Sequence, residues 1–219
     1  MKSPRSDAAE KILRAATRLF AERGYDRTSV PDIQEAAGLS RGSGALYKHF
    51  PSKEALFRIV VERFIEEAQL ARVKLSETDR EPRDAIEWIG RSILGILAGR
   101  NEELRILWRD VDQFPKIKAT ARREIMQSSY TAVAERLDQS ARAGRIPAHD
   151  SQAVAAVMVG SLAMFRVFEA VWGERAIKID DERFLSAWSD MVLCGLKLKD
   201  QGAGPPHHAR PSGKKRKVR

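Results

Sequence analysis

Apolar residues recur at three- and four-residue intervals along almost the whole chain, with polar positions on the opposite side of each turn. Ile12, Leu13, Ala16, Leu19 and Phe20 form the first such face. Asp7 is placed to cap it with Glu10 reaching back, and Gly24 to end it. Thr28 or Ser29 caps a second, short helix, with Pro31 in its first turn, Ile33, Ala36 and Ala37 inward and Gly38 at its end. A third helix starts between Ser40 and Ala45 and runs to about His49. Pro51 stops it, and Ser52 caps a fourth. Helices are then predicted over 53–75, 82–97 and 102–114. Pro115 either breaks the chain or opens a helix reaching about 143, and 151–171 and 181–198 complete the set. No strand-period segment is long enough to build a sheet. The expected fold is all-α, with about nine helices. Beyond 199, Gly202, Gly204, Pro205, Pro206, Pro211 and Gly213 argue against an ordered element.

The second and third helices bury little by themselves. Val30, Ile33, Ala37, Leu39, Leu46 and Phe50 must close against the first helix, which leaves Arg41, Ser43, Tyr47 and Lys48 outward. A helix of that width fits the major groove of a duplex. Hydroxyls and backbone N–H groups at the second helix start, and the Lys53 ammonium near the fourth, suit phosphate. The arrangement predicts a three-helix, DNA-reading head.

Charge sharpens this picture once it is divided. Of 219 residues with a formal charge of +9, residues 1–55 hold ten Lys and Arg against seven Asp and Glu. Residues 56–199 hold 23 against 22, and 200–219 hold six against one. A neutral body between two basic ends points to a polyanion touching the ends; a solvated surface with a basic tail is the other reading. The final run Lys214-Lys215-Arg216-Lys217-Val218-Arg219 resembles a nuclear-targeting or appended segment. It is read here as an arm adding nonspecific, salt-sensitive DNA affinity.

Other chemistry is sparse. No stretch approaches the ~20 apolar residues of a membrane span, so no membrane partner is expected, and the polar start argues against a signal peptide. Cys194 stands alone, which excludes an internal disulfide and suits a reducing cytoplasm. Its neighbours Val192, Leu193 and Leu196 predict an inert core thiol. His49, His149, His207 and His208 show neither metal-ligand spacing nor a nucleophile partner, so no metal, cofactor or enzymatic activity is expected.

The run from Ile12 to Tyr25 (ILRAATRLFAERGY), Thr28 to Ile33 (TSVPDI), Ala37 to Ser40 (AGLS) and Leu46 to Leu56 (LYKHFPSKEAL) closely resembles the opening of tetracycline-repressor (TetR) family regulators. The resemblance covers about the first quarter of the chain, in order. One departure lies at Arg41-Gly42-Ser43-Gly44-Ala45, where the spacing between the loop serine and the Leu-Tyr pair is longer than the family's and rich in glycine. The resemblance implies a DNA-binding head over 1–52, an effector-binding and dimerisation body over 53–199, and a basic tail over 200–219. It also implies a homodimeric repressor of the bacterial cytoplasm and nucleoid, released from operator DNA by a small molecule. A ligand-independent or architectural DNA-binding protein is the rival reading, with an enzyme behind it.

Carried over by residue, Tyr47 and Lys53 resemble the family's phosphate contacts, and Thr28 and Ser29 its cap and backbone contacts. His49 resembles a histidine that bonds to the backbone or supports Phe50. Arg41, Ser43 and Lys48 are the base-reading candidates. Arg41 has the fork that suits guanine N7 and O6, with a phosphate contact as its competing role. Trp88, Trp108, Phe114, Met126, Tyr130, Met158 and Phe165 are candidates to line a pocket for an apolar or amphipathic effector, with ordinary core as the alternative. Asp110 and Asp112 could hold a cationic ligand or be charged surface. The broad apolar faces over 151–171 and 181–198 predict burial on two sides, against the body and a second subunit.

Overall fold

The computed structural model describes residues 7–76 and 80–197. The basic tail and its two histidines therefore lie outside the described residues. Among those described, every regular element is helical. They are α1 (Asp7–Arg23), α2 (Val30–Ala36), a 3₁₀ turn (Ala45–Lys48), α3 (Lys53–Ser76), α4 (Pro82–Leu97) and α5 (Asn101–Asp110). A second 3₁₀ turn (Val111–Gln113), α6 (Pro115–Ala121), a π-helical stretch (Arg122–Gln127), α7 (Ser128–Arg142), α8 (Ser151–Trp172) and α9 (Asp181–Gly195) follow.

Local chemistry accounts for most of these limits. Pro82 and Pro115 open α4 and α6, where a missing N–H costs nothing. Asp150 and Asp180 cap α8 and α9 by accepting from the Ala153 and Arg183 amides at 3.0 and 2.8 Å.

Two hydrophobic clusters hold the fold. In the first, Ile12, Leu13, Ala16, Leu19 and Phe20 of α1 meet Ile33, Ala37, Leu46 and Phe50, with Leu56, Phe57, Val60 and Val61 of α3 closing it. Ile106, Ile117 and Ala121 from α5 and α6 belong to the same cluster, so the head is packed directly onto the body. The second cluster joins α4, α7, α8 and α9 through Ile86, Ile89, Leu94, Val133, Leu137, Met158, Leu162, Leu185 and Trp188. Gly90 lets α4 and α9 approach: a Cβ there would lie 2.7 Å from the Trp188 ring and closer still to Leu185.

Three expectations are corrected. Ala36 is exposed, and Gln34 takes the inward position on α2. Cys194 is exposed, because the helical turn places it with Ala187 and Met191 on the outer side of α9 while Leu193 and Leu196 face the core. The expectation that nothing approaches membrane-span length also fails: α8 is long and apolar enough to cross a bilayer by length and composition. Here it lies against α4, α5 and α7, and its buried Arg166 pairs with Glu169 at 3.1 Å and with Asp181. Arg175 reaches the same carboxylates at 3.0 and 2.8 Å, tying α8 to the start of α9.

Candidate nucleic-acid interface

The polar ridge rests on a short apolar keel. Leu46 and Phe50 are buried against α1, so the single 3₁₀ turn between them must present Tyr47 and Lys48 outward, and Tyr47 is 57% exposed. Arg41, Ser43 and His49 are exposed beside them. The glycines set this geometry. Gly42 and Gly44 have φ of +73° and +68°, where side chains are disfavoured, so the loop turns twice before Ala45 and the third helix shrinks to one turn. The Gly42 amide donates to Gln34 Oε1 at 3.0 Å, fixing the loop to α2 from below.

At the start of α2, Ser29 and Asp32 form a reciprocal cap. The Asp32 amide donates to Ser29 Oγ at 3.2 Å, and the Ser29 amide and hydroxyl donate to Asp32 Oδ2 at 3.2 and 2.5 Å. The Ser29 hydroxyl, then its amide, hold the Asp32 carboxyl below the ordinary aspartate range, with Arg41 adding to the effect. Arg41 folds back onto α2, donating from Nη1 to Glu35 Oε2 at 2.9 Å and from Nη2 to Asp32 Oδ1 at 3.0 Å.

Thr28 is wholly buried, and its hydroxyl donates to the Gly24 and Leu19 carbonyls at 2.8 and 3.2 Å. Its side chain offers no surface to a phosphate, which corrects the expected contact: the residue locks the α1–α2 turn, and Ser29 is the exposed cap. Lys53 is half-buried and donates to the Tyr25 and Thr28 carbonyls at 2.9 and 3.0 Å. Tyr25 packs edge-on to Phe57 and Phe114 at 5.3 and 4.7 Å, and burial, then the nearby Glu54 and Asp26 carboxylates, push its hydroxyl pKa up. His49 is exposed, its ring centre 6.4 Å from that of Phe50.

Residues 12–60, which contain this whole unit, match the family model described as bacterial regulatory proteins, tetR family. The HTH-type transcriptional regulator AcrR of Shigella flexneri is 28% identical over 156 residues, covering 67% of this chain and 70% of that one. The N-terminal unit is thus a TetR-family DNA-binding domain, and the longer match to AcrR carries the similarity into the rest of the chain. The HTH-type transcriptional repressor KstR2 of Rhodococcus jostii is 42% identical over 65 residues, 30% of this chain and 31% of its own. The structure of AibR, solved with isovaleryl coenzyme A and operator DNA, superposes with a TM-score of 0.64 at 18% identity. That alignment covers 84% of this chain and 97% of AibR, and shows a shared fold.

The expected pocket residues do not converge. Trp108 and Met126 are 60% and 55% exposed, which removes them from any enclosed cavity. Phe114 is committed to the Tyr25–Phe57 aromatic cluster at the head–body junction, and Met158 is fully buried in the core. Phe165 stacks on Phe184 at 3.9 Å beneath Arg175, while Tyr130 packs against α8. Trp88 lines a separate cleft of ≈ 400 Å³ with Glu67, Ser92 and Ile96. Asp110 is buried beside Arg109, and Asp112 pairs with Lys118 at 2.6 Å, so each already faces a cation of the chain itself.

The sequence reading missed Gln34, Asp32 and Glu35 as partners of the reading loop. It also missed Arg109, which clamps the end of α1: Nη1 donates to the Ala21 carbonyl at 3.2 Å and Nη2 to that of Phe20. An acidic pair one helical turn apart on α2, facing a lone arginine, was the available signal for the first group. The Arg109 clamp had none, because it joins residues far apart in sequence.

Proposed function

We propose that this regulator is a homodimeric repressor. In this reading the head over 1–52 reads duplex DNA, and an apolar or amphipathic effector bound in the body over 53–199 releases it. The observation that carries the reading is the ridge of Arg41, Ser43, Tyr47, Lys48 and His49, exposed over a keel of buried Leu46 and Phe50. Tyr47 and Lys48 contact the duplex from the 3₁₀ turn, Ser29 touches the backbone at the start of α2, and Arg41 and Ser43 face base edges. Lys53 keeps one N–H for phosphate beyond the two that hold the loop.

The outer face of α8 and α9 supports the dimer. Val157, Phe168, Trp172 and Met191 are 69%, 46%, 76% and 76% exposed, an apolar surface suited to a second copy. Two heads would then stand one helical turn of DNA apart, or a multiple. Repression is supported by the name of KstR2, and the pairing of a small-molecule effector with an operator by AibR, solved with isovaleryl coenzyme A and operator DNA. Action on the nucleoid, in the cytoplasm, follows from a DNA target.

Footprinting on the intergenic DNA beside the chain's own gene tests the reading. A protected, two-fold-related site bound more tightly than random duplex at one salt concentration supports it. Equal affinity for both duplexes would favour the architectural alternative.

A further inference from the structure

We propose that Asp32 and Glu35 are specificity-determining residues that hold the Arg41 guanidinium away from the duplex until a base able to accept its fork displaces them. The inference rests on the reading of Arg41 as a base contact. Both terminal nitrogens of Arg41 are committed, to Glu35 at 2.9 Å and to Asp32 at 3.0 Å. These are the same donors that guanine N7 and O6 would take.

The restraint comes from one rigid element. Asp32 and Glu35 stand one turn apart on α2, and Asp32 is tied to Ser29 on its other oxygen, so it cannot follow Arg41 outward. The backbone next to Arg41 is anchored to the same helix through Gly42 and the buried Gln34. Arg41 therefore swings about a fixed pivot, between α2 and the groove. Leaving the carboxylates costs the same on every duplex, whereas the gain depends on the base offered. On unfavourable sequence Arg41 stays latched and contributes nothing, and two carboxylates remain near the phosphates.

The test uses the full chain, with fluorescence anisotropy at one salt concentration against the footprinted duplex and a random one. The variants are Glu35→Gln, Arg41→Ala and the double substitution. Glu35 is exposed, so its replacement leaves the core untouched; thermal unfolding of each variant verifies this. Glu35→Gln is expected to tighten site binding about fivefold and random-duplex binding less, because only on the site must Arg41 leave its carboxylates, so the specificity ratio widens. In the Arg41→Ala background the same change should move both duplexes equally. An unchanged or narrowed ratio in Glu35→Gln, or the same widening without the Arg41 side chain, overturns the latch. If Arg41→Ala leaves the ratio of an otherwise specific protein unaltered, Arg41 does not read bases, and the latch falls with it. If the parent chain shows no preference for any duplex, the failure lies in the proposed function itself.

Discussion

The Lys53 ammonium stands 4.0 Å from the centre of the Tyr25 ring and donates to the Tyr25 carbonyl at 2.9 Å, so one side chain grips the same residue from two directions. It thereby joins the start of α3 to the turn after α1. A second bond, to Thr28, closes the loop that leads into α2. The cation holds the head together before it meets any phosphate.

Lys53→Met keeps the aliphatic stem and removes the donors. The loss is expected to destabilise the protein by about 1–2 kcal/mol, read as a lower midpoint in urea unfolding. Affinity should fall alike for all duplex sequences. An unaltered midpoint would show that the two carbonyl bonds contribute nothing net.

Gly44→Ala places a side chain at φ +68° with open space around it, so the cost is backbone strain alone, about 1–2 kcal/mol. Because Gly44 precedes the 3₁₀ turn, operator affinity should fall several-fold, and calorimetry should show the unfolding temperature lowered by about 2–8 °C. Affinity at the level of the parent protein would mean that the turn tolerates another path.

Gly90→Ala tests the α4–α9 approach. Its methyl would collide with the Trp188 ring and Leu185, and overpacking of this kind costs about 1–3 kcal/mol. Calorimetric unfolding should show the drop, and a more stable variant would mean that α9 can move aside.

The Asp32 cap has a defined pH signature. Its carboxyl titrates below the ordinary value of 3.8, so its contribution is fully present above that value and is lost as pH falls through the depressed one. Carboxyl carbon shifts in NMR should report this. Ser29→Ala should return the titration toward 3.8, because the Ser29 hydroxyl is the largest cause of the depression.

Met191→Glu introduces charge on the outer face of α9, where the side chain is 76% exposed in a single copy. If two copies meet there, sedimentation should show a shift from dimer to monomer, with weaker operator binding. A variant dimer as tight as the parent would place the interface elsewhere.

Features written locally were legible in the sequence. Pro82 and the apolar run to Leu97 bound α4 to the residue, and the cap of α2 was narrowed to Thr28 or Ser29, of which Ser29 fills it. The keel residues Ile33, Leu46 and Phe50 followed from periodicity. Periodicity could not say which of two apolar faces belongs to the core, and this misplaced Cys194. Nor could it show that Thr28 would spend its hydroxyl on Gly24 and Leu19, or that the Gly42 and Gly44 turns would leave one turn of the third helix. Helical spacing shows which aromatic residues share one face of a helix, and not whether that face meets a neighbouring helix or solvent, as Phe165, stacked on Phe184, and exposed Trp108 show. The partners of Arg41, Lys53 and Arg109 depend on which helices end up side by side.

Arg109, in the last turn of α5, holds the Phe20 and Ala21 carbonyls in the last turn of α1, braced by the buried Asp110 carboxylate. A grip of this kind works in both directions. Whatever repositions the end of α5 must drag the head with it, and a duplex that fixes the head must, by the reciprocity of linked equilibria, bias α5 by the same free energy.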